Sequence, residues 1–179
     1  SLANNFDSFV SYFIGSGLDW HIGVTSTDMD PGEEPGTHGI LKSIGDIKFI
    51  DEDTPDPIGI FEQMAILGTR GSGLERGRGA AYSAIAEHDG CEHNRDFYRE
   101  DASLSIIVIS DEEDYSADDP LLNEFISWLA FLKEDQDDVS FSSVVCLNTQ
   151  PINGIPCSVG SSYAPSVGTE YMAVTNTIG

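Results

Sequence analysis

Leu104-Ser105-Ile106-Ile107-Val108-Ile109-Ser110-Asp111-Glu112-Glu113-Asp114 is the stretch on which the fold turns. Its first six residues are almost continuously apolar and rich in β-branched side chains. That pattern predicts a central parallel strand covered on both faces, since a strand with one wet face alternates polar and apolar residues. The run stops at Ser110, and four acidic residues follow at once. A buried strand would thus deliver carboxylates to its exposed C-terminal end. Carboxylate and hydroxyl oxygens are hard ligands suited to Mg²⁺, Ca²⁺ or Mn²⁺. The alternative is an ordinary solvated acidic loop.

Downstream, Asp119 and Pro120 read as the N-cap and first position of a helix carrying Leu122, Phe125, Ile126, Leu129 and Leu132. Residues 139–147 read as another strand, and 171–174 as a further short one. Upstream, Leu2, Phe6, Phe9, Val10, Phe13 and Ile14 recur at helical spacing, with Gly15 and Gly17 as the stop. Trp20, Ile22 and Val24 alternate within residues 19–28, which predicts a strand. Residues 44–50 form a second, short strand able to return antiparallel to it. After the acidic turn at 51–57, Ile58, Phe61, Met64, Ala65 and Leu67 mark a helix ended by Gly68. Ser72 and Glu75 have the spacing of a capping box opening another helix. In that helix the small residues Gly77, Ala80, Ala81 and Ala84 suit close approach to a sheet.

Helices alternating with strands define the expected fold class: α/β, a doubly wound, mostly parallel sheet flanked by helices. All 179 residues are expected to form a single domain. In such sheets ligands bind beyond the carboxyl ends of the strands. The segments that matter are therefore residues 25–28, 110–114, and Asn148 with Thr149.

Composition narrows the function classes. Thirty-one acidic residues against eight Lys and Arg give a formal charge of -23. Nucleic acid and anionic membrane surfaces are repelled, and cations or basic partners favoured. Solubility in a salty setting is an equally direct reading of the same charge. No apolar run reaches the ~18 to 20 residues of a membrane span, so no membrane insertion by this segment is expected. Cys91, Cys146 and Cys157 form no zinc pattern. Cys146 and Cys157 bracket a Pro-, Gly- and Asn-rich loop where a disulfide is expected, the alternative being unpaired thiols. His21, His38, His88 and His93 lie on different predicted elements without ligand spacing. There is no Gly-x-Ser-x-Gly elbow and no phosphate-binding Gly-Lys-Ser/Thr loop. Asp51, Asp53 and Asp56 read as a solvated turn, with an accessory Ca²⁺ as the alternative.

Four segments in order carry a family resemblance: residues 2–9, His21-Ile22-Gly23-Val24-Thr25-Ser26-Thr27-Asp28, Gly68-Thr69-Arg70-Gly71-Ser72-Gly73-Leu74-Glu75-Arg76-Gly77, and residues 103–116. Together with Gly168-Thr169-Glu170-Tyr171 and residues 175–179, they resemble bacterial von Willebrand factor type A domains over most of the chain. The resemblance implies a Rossmann-like sheet and a metal-ion-dependent adhesion site built from three loops. Asp111 matches the aspartate after the family's central strand. The family's threonine matches Thr69, with Ser72 as the alternative. The family's Asp-x-Ser-x-Ser motif is not in these residues. The domain is therefore expected to be truncated at both ends and to lack a central strand. The implied function is a divalent-metal-dependent adhesion or protein-binding module, not an enzyme, that is secreted, periplasmic or on the cell surface. Mg²⁺ or Ca²⁺ would bridge it to an acidic side chain of a protein ligand. Two rival readings are a metal-dependent phosphohydrolase using Asp111 and Asp114, and a structural surface domain without metal.

Overall fold

The computed structural model describes residues 6–30, 36–68, 71–86, 93–117, 119–147 and 166–179. Their chain order is α1 (Phe6–Phe13), α2 (Pro57–Ala65), α3 (Gly77–Ile85), β1 (Leu104–Ile109), α4 (Leu122–Phe131), β2 (Val139–Val144) and α5 (Thr169–Ile178). Two apolar clusters organise these elements. The first gathers Val10, Trp20, Ile50, Phe61 and Met64, with Phe9, Phe13, Ile22 and Val24 packed against it. It joins α1 and α2 to the irregular segment between them. The periodic residues of both predicted helices supply it. The second cluster contains Val108, Phe125, Leu129, Val139, Phe141, Tyr171 and Val174. It is the core beneath the sheet, formed by β1, α4, β2 and α5.

The mixed α/β class holds, whereas the doubly wound sheet does not. Among the described residues the sheet has two strands, β1 and β2, paired in parallel from Leu104 opposite Val139 to Ile109 opposite Val144. The connection through α4 makes this a β-α-β unit, so the parallel pairing expected of the apolar run holds, but in a sheet of two described strands β1 is not the central strand that was expected. Among the described residues the expected cover is present on one face only. Ile106, Val108, Val139 and Phe141 pack into the core, while Ile107, Ile109 and Val144 of the opposite face are exposed.

Other expectations need correction. Residues 19–28 and 44–50 do not form strands; their antiparallel pairing reduces to one bridge, Ile22 with Ile50. Lys42 N–H donates to the Val24 carbonyl at 2.7 Å and Ser26 N–H to Gly36 at 2.9 Å, so irregular chain takes the hydrogen bonds a ladder would have taken. Alternating apolar residues report one buried face, and an extended segment without a ladder satisfies that equally well. Residues 171–174 are helical. Tyr171, Val174 and Ile178 recur at helical spacing and bring α5 onto the core. Asp119 and Pro120 are not the start of α4: their peptide bond is cis, and the helix opens at Leu122, where Glu124 Oε2 accepts from Leu121 N–H at 3.3 Å. α2 ends at Ala65 with Ile66 as its C-cap, short of Leu67 and of the expected stop at Gly68, whose φ of +83 belongs to the chain beyond the helix. Cys146 is disulfide-bonded. Cys91 and Cys157 lie outside the described residues, as do Asn148 and Thr149.

Candidate functional site

The loop after β1 meets two helix N-termini, and this divides its acidic residues into different roles. A helix leaves its first N–H groups without internal partners, so acceptors must come from elsewhere. At α3 they come from other parts of the chain. Gly77 N–H donates to the Tyr171 hydroxyl at 3.0 Å, Arg78 N–H to Asp114 Oδ2 at 2.8 Å, and Gly79 N–H to Ser116 Oγ at 2.9 Å. The expected capping box is absent. Ser72 Oγ accepts from Leu74 N–H at 3.2 Å in a turn, and Glu75 reaches Ser110 instead. Glu113 serves α5 in the same way, with its two carboxylate oxygens accepting from Thr169 N–H at 2.9 Å and Glu170 N–H at 3.0 Å.

Beneath this junction lies a buried charge pair. Arg78 and Asp114 have side-chain exposures of 1% and 0%, and Arg78 Nε stands 3.2 Å from Asp114 Oδ1. The approach is an ion pair without hydrogen-bond alignment, since Nε has no hydrogen-bond partner. The rest of the guanidinium is held by the Pro120 carbonyl at 2.7 Å and by Glu170 Oε2. Asp114 Oδ1 also accepts from Ser116 N–H at 2.8 Å. Arg78 thus ties the post-strand loop, α3 and α5 together. Its sequence signal is a lone cation within Gly77-Arg78-Gly79-Ala80-Ala81: charge on a face of small residues made for burial requires a buried counter-charge. Tyr171 completes the junction. Burial first, and the Asp114 charge second, push its phenol well above the ordinary value of 10.0.

Asp111 and Glu112 remain. Asp111 is exposed and Glu112 half-buried. Beside them, Glu75 Oε2 accepts the Ser110 hydroxyl. Burial raises the Glu75 carboxyl above its ordinary 4.5; Ser110 opposes the shift, while the charges of Asp111, Glu112 and Asp114 reinforce it. The adjoining loop 71–76 rests on the 26–30 turn, where Arg76 N–H donates to the Thr27 carbonyl at 2.9 Å. A β-carbon added to Gly71 would stand 2.9 Å from Asp28 Oδ2. The structure therefore links residues 26–28 and 110–114 through the loop 71–76, which the strand-end argument did not name; residues 19–28 reach this place without forming a strand, and Asn148 and Thr149 lie outside the described residues.

Comparison with family models, with curated proteins and with solved structures finds no match.

Of the candidate metal residues, Asp111 lies at the solvent edge of this cluster, Ser72 sits in the neighbouring turn, and Thr69 falls outside the described residues. Asp111 and Asp114 face different surroundings, the first solvent and the second Arg78. Among the described residues, no three Asp, Glu, His or Cys side chains converge as a metal-holding group. Ser110, Asp111 and Glu75 are nevertheless hard oxygen donors of the class Mg²⁺ and Ca²⁺ take. The turn at 51–56 is consumed locally: Asp51 Oδ1 accepts from Thr54 Oγ1 at 2.6 Å and from Asp53 N–H at 3.1 Å, and Asp56 Oδ1 from Gly59 N–H at 3.3 Å.

Proposed function

We propose that this chain is a protein-binding module of the von Willebrand type A kind, working through the loops beyond the C-terminal ends of β1 and β2. The observation that carries the reading is the junction of loop 71–76 with the end of β1, where Glu75 accepts the Ser110 hydroxyl beside the exposed Asp111; burial first, and the neighbouring carboxylates after it, raise the Glu75 carboxyl there. A divalent cation would relieve that repulsion. Asp111 and Ser110, with Glu75, would hold it, and Mg²⁺ or Ca²⁺ would present an open position to an acidic side chain of the partner; Thr69, the hydroxyl that the resemblance implies, lies outside the described residues. This chain's own residues set the stage. Glu113 and Asp114 fix the loop on two helices, which leaves Asp111 free to face solvent. The Cys146 disulfide supports an exported setting, where oxidising conditions maintain such bonds.

Thermal unfolding with Mg²⁺, Ca²⁺ or Mn²⁺, each against a chelator and against NaCl of matched ionic strength, tests the reading. A specific site at about 100 times its Kd adds ~2.7 kcal/mol of stability. The midpoint is expected to rise in the parent and in Asp101→Ala, a control at another exposed acid, but not in Asp111→Ala. A rise of equal size in Asp111→Ala, or none beyond matched NaCl in the parent, removes the cation from the reading.

A further inference from the structure

Residues 93–101 run between α3 and β1 and are gripped from both sides by side chains of distant segments. On the side of the first apolar cluster, His21 Nδ1 lies 2.9 Å from the Phe97 carbonyl, which can only accept, so that nitrogen carries the proton. The Phe49 ring stands 4.4 Å from the imidazole. Arg99 Nη1 pairs with Asp19 Oδ2 at 2.6 Å, and Lys48 Nζ donates to the His93 carbonyl. These partners adjoin the cluster's own members in sequence: Asp19 and His21 flank Trp20, and Phe49 precedes Ile50. On the side of the second cluster, Lys133, just beyond α4, donates to the carbonyls of Arg99 at 2.6 Å and Glu100 at 3.0 Å and lies 4.2 Å from the centre of the Tyr98 ring. Between these grips, the buried Asn94 accepts from Leu41 N–H at 2.8 Å and donates to the carbonyls of Gly39 at 2.8 Å and Ala84 at 3.1 Å.

We propose that residues 93–101 are a clasp that makes the two apolar clusters open as one cooperative unit. The placement of the cations supports it. The chain has eight Lys and Arg against thirty-one acids, yet three of the eight, Lys48, Arg99 and Lys133, meet on this one stretch. Two of them take backbone carbonyls. Each such bond orders a long side chain against its rotamer entropy, and what it gains is a charge-assisted tie between residues 45 and 34 positions apart. The first cluster depends on such ties more than the second. Its irregular chain makes two isolated bridges, Ile22 with Ile50 and Ile44 with Ile47, whereas the second is built on the β1–β2 ladder. A region with few regular hydrogen bonds opens locally at low cost unless it is coupled to the rest. Val24, packed on the first cluster, leads into the 26–30 turn, and the 110–114 loop follows β1. The clasp thereby also keeps the two sides of the proposed binding site together; that consequence rests on the binding reading, and the coupling of the clusters does not.

Trp20 lies in the first cluster and Trp128 packs on the second, and the chain has no other tryptophan. Fluorine NMR of the fluorotryptophan-labelled chain therefore reads both clusters separately in a single urea titration. EDTA in the buffer keeps the outcome independent of cation uptake. In the parent both signals should convert to their unfolded positions at the same urea concentration, as a single cooperative unit requires. In Arg99→Met/Lys133→Met, which keeps the apolar stems and removes the charged ties, the Trp20 signal should convert first, by ~0.5 M urea or more. Lys133→Met alone should give a smaller separation in the same direction, and it serves if the double variant does not fold. Lys42→Met, a control outside the clasp, should leave the two signals coincident. The proposal is overturned if the parent signals already convert apart, if they stay together in whichever clasp variants fold, or if Lys42→Met separates them as far.

Discussion

Replacing Asp114 by Asn changes one atom type and tests the junction as a whole. The carboxylate accepts two N–H groups, from Arg78 and Ser116, each at 2.8 Å, and faces Arg78 Nε at 3.2 Å. Asn would keep one acceptor oxygen. Its amide nitrogen would turn a donor toward one of the two N–H groups, and leaving such a group unsatisfied costs ~1–3 kcal/mol. The lost charge adds to this. Breaking a buried ion pair by removing one partner costs about 3–5 kcal/mol, because the remaining ion stays buried without compensation. Here Glu170, 36% exposed, and the Pro120 carbonyl still hold the guanidinium, which moves the expectation toward the lower end. The loss for Asp114→Asn is thus expected at roughly 3 kcal/mol, a large part of the ~5–15 kcal/mol that holds an ordinary domain together. Urea unfolding followed by tryptophan fluorescence and extrapolated linearly gives the difference. Adding NaCl should not mask it, since buried pairs are screened far less than exposed ones. A loss below about 1 kcal/mol would show that the Asp114 charge does not hold the loop to α3 and α5.

The other expectations separate structural from binding roles. Asp111→Ala should change stability by no more than about 0.5 kcal/mol, as befits an exposed residue, yet abolish the cation-dependent rise in unfolding midpoint. For Glu75, the raised carboxyl means that the folded chain holds the proton more tightly than the unfolded chain. Stability should therefore fall as pH rises from 4.5 toward the raised value, and Glu75→Gln should flatten that fall in urea titrations at successive pH values. Tyr171→Phe strands the buried Gly77 N–H and should cost ~1–3 kcal/mol in the same assay. In the parent, the Tyr171 phenol should stay silent in ultraviolet titration through pH 10. Gly77→Ala should destabilise the chain further, because the new β-carbon would lie 2.6 Å from the Tyr171 hydroxyl oxygen, a contact that must be relieved by moving α3 or α5.

Long apolar periods were legible in the sequence, and short ones were not. α1, α2 and α4 repeat their apolar residues over two turns or more, so their existence follows from spacing alone. β1 and β2 are readable because β-branched runs bounded by polar residues leave few alternatives. Residues 171–174 are too few to distinguish periods, and only the longer interval to Ile178 reveals the helix. The alternation of Trp20, Ile22 and Val24 recorded which side is buried. Where the chain's hydrogen bonds go was decided by residues 36 and 42, far away in sequence, and local pattern cannot express that.

The acidic run after β1 sets the sharper limit. Asp111, Glu112, Glu113 and Asp114 are chemically near-equivalent in the sequence, and the strand-end argument treats them as one cluster. Their separation arises when α3 and α5 bring bare N–H groups to the loop: Glu113 meets Thr169 and Glu170, and Asp114 meets Arg78. Once those two carboxylates are anchored, their neighbours cannot turn inward to the same acceptorless positions. Asp111 is left facing solvent because the helix ends are already capped. The exposure of Asp111 is therefore a consequence of the structural roles of Glu113 and Asp114. Removing either anchor should disturb the proposed cation binding at Asp111 without touching that residue, which the cation-dependent rise in unfolding midpoint would read.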